Sequence, residues 1–281
     1  MLENPSLHPS ALITALFLLF ATLGCESQAE RPIADAAAFV DTGLASDAQP
    51  DARDPLPDSQ MPMTTPPMKV LFVGNSLTYW DGGLAALLNK LRRSADSSAG
   101  FDAEQVVQGG ASLEVMWNDT DARERIAEGG YDVVVLQEDL PETTIESFHS
   151  YARRFDEAIR ASGATPLFYM AWEYQRLSWI SLDEIAEAHW TIAAELGAPV
   201  APVGLARRRA FGERPELDLY ADDREHPSIA GSYLSALTIY ASLFGVSPEG
   251  LSYRPSRSGG VSVEDAAFLQ RIAWAEVSSR E

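Results

Sequence analysis

The chain has 281 residues, 46% of them apolar and 9% aromatic, which is enough for a packed core and excludes global disorder. Its 21 Lys and Arg face 41 Asp and Glu, a formal charge of −20 that excludes a nucleic-acid binder and favours a neutral substrate over a polyanion. One cysteine, Cys25, excludes an intramolecular disulfide.

In chain order, the first feature is the apolar run Ala11–Gly24, shorter than a comfortable membrane span and typical of the core of a signal peptide. It ends at Gly24-Cys25, which resembles the junction where bacterial lipoproteins are cleaved and acylated. The expectation is a signal peptide over residues 1–24 and a lipidated Cys25, with membrane contact through that lipid only. Glu26, in place of Asp, points to the outer membrane of a bacterial cell envelope. An ordinary signal peptide, or a buried helix at a mis-assigned start, is the alternative. From Glu26 to Pro67 eight acids oppose two bases, Arg31 and Arg53, with few large apolar residues. Such a segment cannot offset its ordering entropy, so residues 25–67 read as a disordered acidic tether.

The folded part begins at Met68 and occupies residues 68–281. Lys69–Val73 reads as a buried strand, and Leu84, Leu87, Leu88 and Leu91 follow at helical spacing. Glu104–Gln108 is a weaker strand, and a helix is predicted over Leu113–Ala127, weakened in its middle by Asn118-Asp119-Thr120. Asp132–Leu136 is the strongest strand, a β-branched run of the kind that parallel sheets bury on both faces. Phe148, Tyr151, Phe155 and Ile159 mark a helix. Pro166–Met170 is a fourth strand, and Leu182, Ile185, His189, Ile192 and Leu196 mark another helix. Val200-Ala201 is a short fifth strand. Two helices close the chain, one with Pro227 in its first turn and one starting near Ser262 with Asp265 three residues on. Repeated β-α units predict an α/β fold with a mostly parallel sheet between helical layers, and ligands at the carboxyl ends of its strands.

Unusual residues gather at those ends. After the first strand comes Gly74-Asn75-Ser76-Leu77-Thr78, where a serine beside a helix N-terminus can act as a nucleophile or merely cap the helix. Late in the chain comes Asp222-Asp223-Arg224-Glu225-His226-Pro227-Ser228. Asp223 and His226, three residues apart, can set a carboxylate on one ring nitrogen and leave the other to a serine hydroxyl. His8, His149, His189 and His226 are the only histidines. His189 shares the apolar stripe of its helix and reads as core, so no metal site is expected. Trp172, Tyr174 and Trp179 suit either stacking on a sugar or packing in a core.

The order Gly-Asn-Ser, then Asp-x-x-His followed by Pro-Ser and a helix, resembles the SGNH (GDSL-like) hydrolases. That resemblance runs from Met68 to about Gly245 and implies a three-layer α/β/α fold with a flavodoxin-like sheet. It further implies a serine esterase without a cofactor: Ser76 the nucleophile, His226 the base and Asp223 its orienter. The oxyanion would be held by the N–H of Ser76, by Gly110 (Gly109 or Ser112 in a shifted register) and by a carboxamide after the third strand. No Gly-x-Asn-Asp stands there; Gln137, in Leu136-Gln137-Glu138-Asp139, is the substitute. The implied substrate is a small-molecule or glycan ester with a short, acetyl-sized acyl group. Two rivals remain, a non-catalytic surface glycan binder and an O-acyltransferase with the same triad.

Overall fold

The computed structural model describes residues 68–98, 100–257 and 259–280. The segments expected to be a signal peptide and a tether, with Cys25, lie outside the described residues. Five parallel strands form the sheet: β1 (Met68–Gly74), β2 (Phe101–Val107), β3 (Val133–Gln137), β4 (Thr165–Tyr169) and β5 (Val200–Ala201). Their order is β2-β1-β3-β4-β5, the flavodoxin-like arrangement, in which strand order reverses between β1 and β3. Val70 to Val73 pair with Val133 to Leu136 across that point. The carboxyl ends of these two strands therefore open onto one crevice.

Alternation along the strands supplies two cores. Val70, Phe72, Val135, Leu167 and Tyr169 face one way. They pack against α2 (Leu84–Ala95), α7 (Val203–Glu213), α8 (Ile229–Phe244) and α9 (Val263–Ser278). Leu71, Val73, Val134, Leu136 and Phe168 face the other way. Their partners are α3 (Leu113–Asp119), α4 (Ala122–Glu128), α5 (Ile145–Ala161) and α6 (Leu182–Leu196). The result is the three-layer α/β/α fold. Val70 to Val73 are all 1% exposed or less, and each buried aliphatic side chain of this size contributes about 1.5–3 kcal/mol.

Several expectations are corrected in detail. The helix read over 113–127 is two helices, because Thr120 turns its hydroxyl onto Met116 O at 2.6 Å and accepts the Ala122 N–H at 3.2 Å. The second strand starts earlier than its apolar pattern indicated, at Phe101 rather than Glu104. Pro227 lies outside α8, whose N-cap is Ser228, accepting the Gly231 N–H at 3.1 Å. Helix α7 carries no clean amphipathic stripe, since Arg207 lies buried between its apolar positions, and it was not anticipated. His189 is 1% exposed, with Nδ1 on Ile185 O at 2.7 Å, and burial lowers its pKa to about 4. Among the described residues no helix is long and apolar enough to cross a membrane, and no group of three or more His, Cys, Asp or Glu could hold a metal ion.

Candidate active site

At the end of β1 the chain must turn sharply into the one-turn helix α1 (Ser76–Tyr79). Asn75 is its N-cap, and its Oδ1 accepts the Leu77 N–H at 3.0 Å. Ser76 is the first helical residue and is 8% exposed. Gln137, fully buried at the end of β3, holds this turn. Its Oε1 accepts the Asn75 N–H at 2.8 Å and the Thr78 hydroxyl at 3.2 Å. A Cβ on Gly74 would meet that same Oε1 at 2.7 Å and Thr78 Oγ1 at 2.6 Å. Only glycine lets the two strand ends approach so closely.

The opposite wall is the loop from Tyr220 to Ser228. Asp223 organises it: Oδ1 accepts the Glu225 N–H at 3.0 Å and the His226 N–H at 2.9 Å, while Oδ2 lies 2.7 Å from His226 Nδ1. Arg224 takes the left-handed conformation, φ 60°, which tightens the turn. His226 Nε2 reaches Ser76 Oγ at 2.8 Å. With the Nδ1 proton given to Asp223, Nε2 is left to accept the serine proton. Burial opposes ionisation of Asp223, but the N–H groups and the imidazole outweigh it and hold the carboxyl below its usual range.

Two further groups steady the imidazole. Trp80 stacks on it, ring centroids 3.8 Å apart and planes 14° off parallel. An indole face fixes the plane of the ring by stacking on it. Glu225 Oε1 stands 4.0 Å from Nε2, and Arg176 bridges Glu225 to Glu142.

Of the residues expected from sequence, Ser76, His226 and Asp223 are brought into one hydrogen-bonded line. Gly110 follows β2, the neighbour of β1, and is exposed in the left-handed conformation, φ 65°. Gln108 N bonds Gly74 O at 3.2 Å, which ties this Gly109-Gly110 turn to the Ser76 turn. Ser112 is instead the N-cap of α3, accepting the Val115 N–H at 3.2 Å.

Gln137, the expected oxyanion donor, is tied to the backbone around Ser76. Its Nε2 donates one hydrogen bond to Glu138 O at 2.9 Å and its Oε1 faces the Asn75 turn, so the carboxamide braces the backbone. The rim aromatics also change. Trp172 and Tyr174 are each 1% exposed and belong to the core. Trp179 is exposed, with its Nε1 on Pro141 O at 2.8 Å. Trp80 is the aromatic that touches the site, and sequence reading missed it. Its place four residues after Ser76, just past a one-turn helix, was the available signal.

A buried carboxylate pair lies just past β3. Glu138 accepts the N–H groups of Leu113 (3.1 Å) and Asp139 (2.9 Å) and the Thr143 hydroxyl (3.0 Å). Burial raises it to about 7 against those stabilising bonds. Asp139 accepts the Tyr174 hydroxyl at 2.6 Å and is raised to about 6, again chiefly by burial. Through Leu113, Glu138 fastens the start of α3, and with it the loop carrying Gly110, onto the end of β3.

No family model and no curated protein sequence matches the chain. Solved structures do. A candidate SGNH hydrolase from Slackia heliotrinireducens is 29% identical over 63% of this chain and 99% of its own, with a TM-score of 0.51. A DUF4886 family protein from Bacteroides uniformis is 16% identical over 76% of this chain and 95% of its own, at 0.56. A mutant of an acetyl-xylooligosaccharide esterase from Geobacillus is 18% identical over 65% of this chain and 97% of its own, at 0.51.

Proposed function

We propose that this chain, an SGNH-type ester hydrolase by its fold and its likeness to solved SGNH hydrolases, cleaves short acyl esters with Ser76 as nucleophile, His226 as base and Asp223 as orienter. The observation that carries the assignment is the unbroken line Asp223–His226–Ser76, with contacts of 2.7 and 2.8 Å. His226 Nε2 takes the hydroxyl proton as Ser76 Oγ bonds to the ester carbonyl carbon. The oxyanion lies between the Ser76 and Gly110 N–H groups. Collapse of the tetrahedral intermediate breaks the bond to the alcohol, which leaves with the proton from His226. Water, deprotonated by His226, then attacks the acyl-serine and releases the acid.

Acetylated carbohydrate is the proposed substrate class. Neighbours described as acetyl xylan and acetyl-xylooligosaccharide esterases support it. Turnover of p-nitrophenyl acetate and acetylated xylan by wild type, with loss of both in Ser76→Ala, is the expected result. Fluorophosphonate labelling that persists in Ser76→Ala would move the chemistry to another serine. Wild type that neither labels nor turns over any ester would leave a binding protein. Acyl groups recovered on an added sugar acceptor, in place of free acid, would make it a transferase.

The proposal extends to the envelope. The Ala11–Gly24 run and Cys25 motivate lipid anchoring; a palmitate analogue should label wild type and miss Cys25→Ser. Unlabelled, freely soluble wild-type protein in the producing bacterium would refute anchoring.

A further inference from the structure

Two cavities adjoin the loop that carries His226, and their charges differ. The larger, about 360 Å³, has Asp218, Tyr220 and Arg224 in its wall. It balances Arg207, Arg208 and Arg224 with Glu173, Glu216 and Asp218. The smaller, about 320 Å³, includes Ile229, three residues past His226, and Asp81, next to the Trp80 that stacks on His226. Lys90, Arg254 and Arg257 line it, with Asp81 as the one acid. Arg257 is tied to that acid. Arg254 and Lys90 have no carboxylate partner among the described residues. Arg254 Nη1 donates to Val261 O at 2.7 Å, and Lys90 Nζ lies 5.7 Å from the centroid of the Tyr253 ring.

Uncompensated cations sharing one cavity are unexpected in a chain of formal charge −20. A second observation is independent of charge. Ser232, 3% exposed and in the same wall, has a hydroxyl with no hydrogen-bond partner. A buried hydroxyl ordinarily finds a partner. Two cations and an unpartnered hydroxyl match an oxyanion, and the Tyr253 ring and Ile229 beside them match the apolar face of a sugar. Asp81 in the wall disfavours a doubly charged phosphate and leaves a single carboxylate as the better fit.

We infer that this cavity is a substrate subsite for the carboxylate of an acidic sugar, carried by the alcohol part of the ester that Ser76 attacks. The inference rests on the ester-hydrolase reading above. It makes the preferred substrate an acylated uronic acid or a glycan bearing one near the acyl group, since a single charge avoids the repulsion a polyanion would meet.

The test uses methyl glucuronide and methyl glucoside as inhibitors of p-nitrophenyl acetate hydrolysis, with calorimetric titration of both into wild type. The glucuronide should bind about tenfold more tightly than the glucoside, the scale of one charge-assisted contact. Lys90→Gln and Arg254→Gln should each reduce that ratio, and together bring it to about one. Lys90 is exposed, so its variant tests the site even where Arg254→Gln unfolds. Inorganic phosphate should bind no better than the glucoside. Equal binding of the two sugars, a ratio that survives Lys90→Gln in full, or phosphate binding as tightly as glucuronide would each overturn the inference. Calorimetry reads the subsite even if the wild type hydrolyses nothing, so failure of the esterase reading is seen separately.

Discussion

The two walls of the candidate site are built in opposite ways. The Ser76 wall sits in the core: Asn75 and Thr78 are fully buried, Ser76 nearly so, and a buried Gln137 holds all of it from the neighbouring strand. The His226 wall is a surface loop. Asp222, Asp223 and Arg224 are exposed, and the loop keeps its shape through Asp223's own bonds to Glu225 and His226 and through a few anchors. Those anchors are Trp172 Nε1 on Glu225 O at 3.0 Å, Gln175 N on Arg224 O at 3.0 Å, and the Trp80 stack. A serine must be fixed against a carbonyl to fractions of an ångström, and close packing supplies that fixity. In the proposed reaction the imidazole accepts and returns a proton, which a locally determined, partly solvated loop permits.

This contrast predicts that removing the buried brace of the core wall changes activity and stability together, whereas trimming the reacting side chains or the surface loop changes activity alone. The largest effect is expected at the meeting point: Ser76→Ala or His226→Ala should lower kcat by about 10⁴-fold or more, with the melting temperature almost unchanged. Asp223→Asn should cost about 10²–10⁴-fold in kcat, since the carboxylate orients the ring and stabilises the imidazolium without moving the proton. Its melting temperature should stay near that of wild type. A large drop there would show that the loop carries global stability and would break the comparison.

Gln137→Ala sharpens it from the other side. Removing the brace leaves the Asn75 N–H buried without its partner, a loss of about 1–3 kcal/mol. Thermal unfolding should register that loss while kcat falls by about 10²-fold as Ser76 loses its placement. Reduced kcat with an unchanged melting temperature would return Gln137 to the role of a direct donor. Trp80→Ala should lower kcat by about tenfold, because the imidazole loses the stacked face that holds its plane. Phenylalanine at that position should recover most of the rate, an outcome that simple loss of packing elsewhere would not produce.

The smallest expected effect on activity comes from Glu138, whose titration acts on stability. Glu138 titrates at about 7 in the folded chain against an ordinary 4.5. Its contribution is therefore complete below about pH 4.5 and is lost as the pH rises through 7, a slope on the order of 3 kcal/mol. Glu138→Gln should flatten that part of the curve of melting temperature against pH. Asp139, raised to about 6, leaves a residual slope. An unchanged curve would mean that Glu138 stays ionised throughout.

Much was determined by the sequence alone, and the physical reasons differ from place to place. Strands β1 and β3 were readable because a strand buried on both faces must be apolar at every position, a pattern that survives without knowledge of its neighbours. Ser262 marks a helix start because capping is a local bond between residues three apart. The Asp223–His226 pair is legible on the same ground, since one turn of chain sets the contact. Long-range choices were not legible. Gln137 has the chemistry of an oxyanion donor, and only the approach of β3 to Gly74 turns its carboxamide onto the Asn75 backbone, 62 residues away. Trp172 and Tyr174 look like rim aromatics until the loop of Glu225 and the carboxylate of Asp139 cover them. Trp80 becomes part of the site because α1 and the His226 loop, 150 residues apart at Ser76 and His226, fold against each other. Local bonds are written in nearest neighbours along the chain; the partner of a buried polar or aromatic group is chosen by packing, which the tertiary structure alone decides.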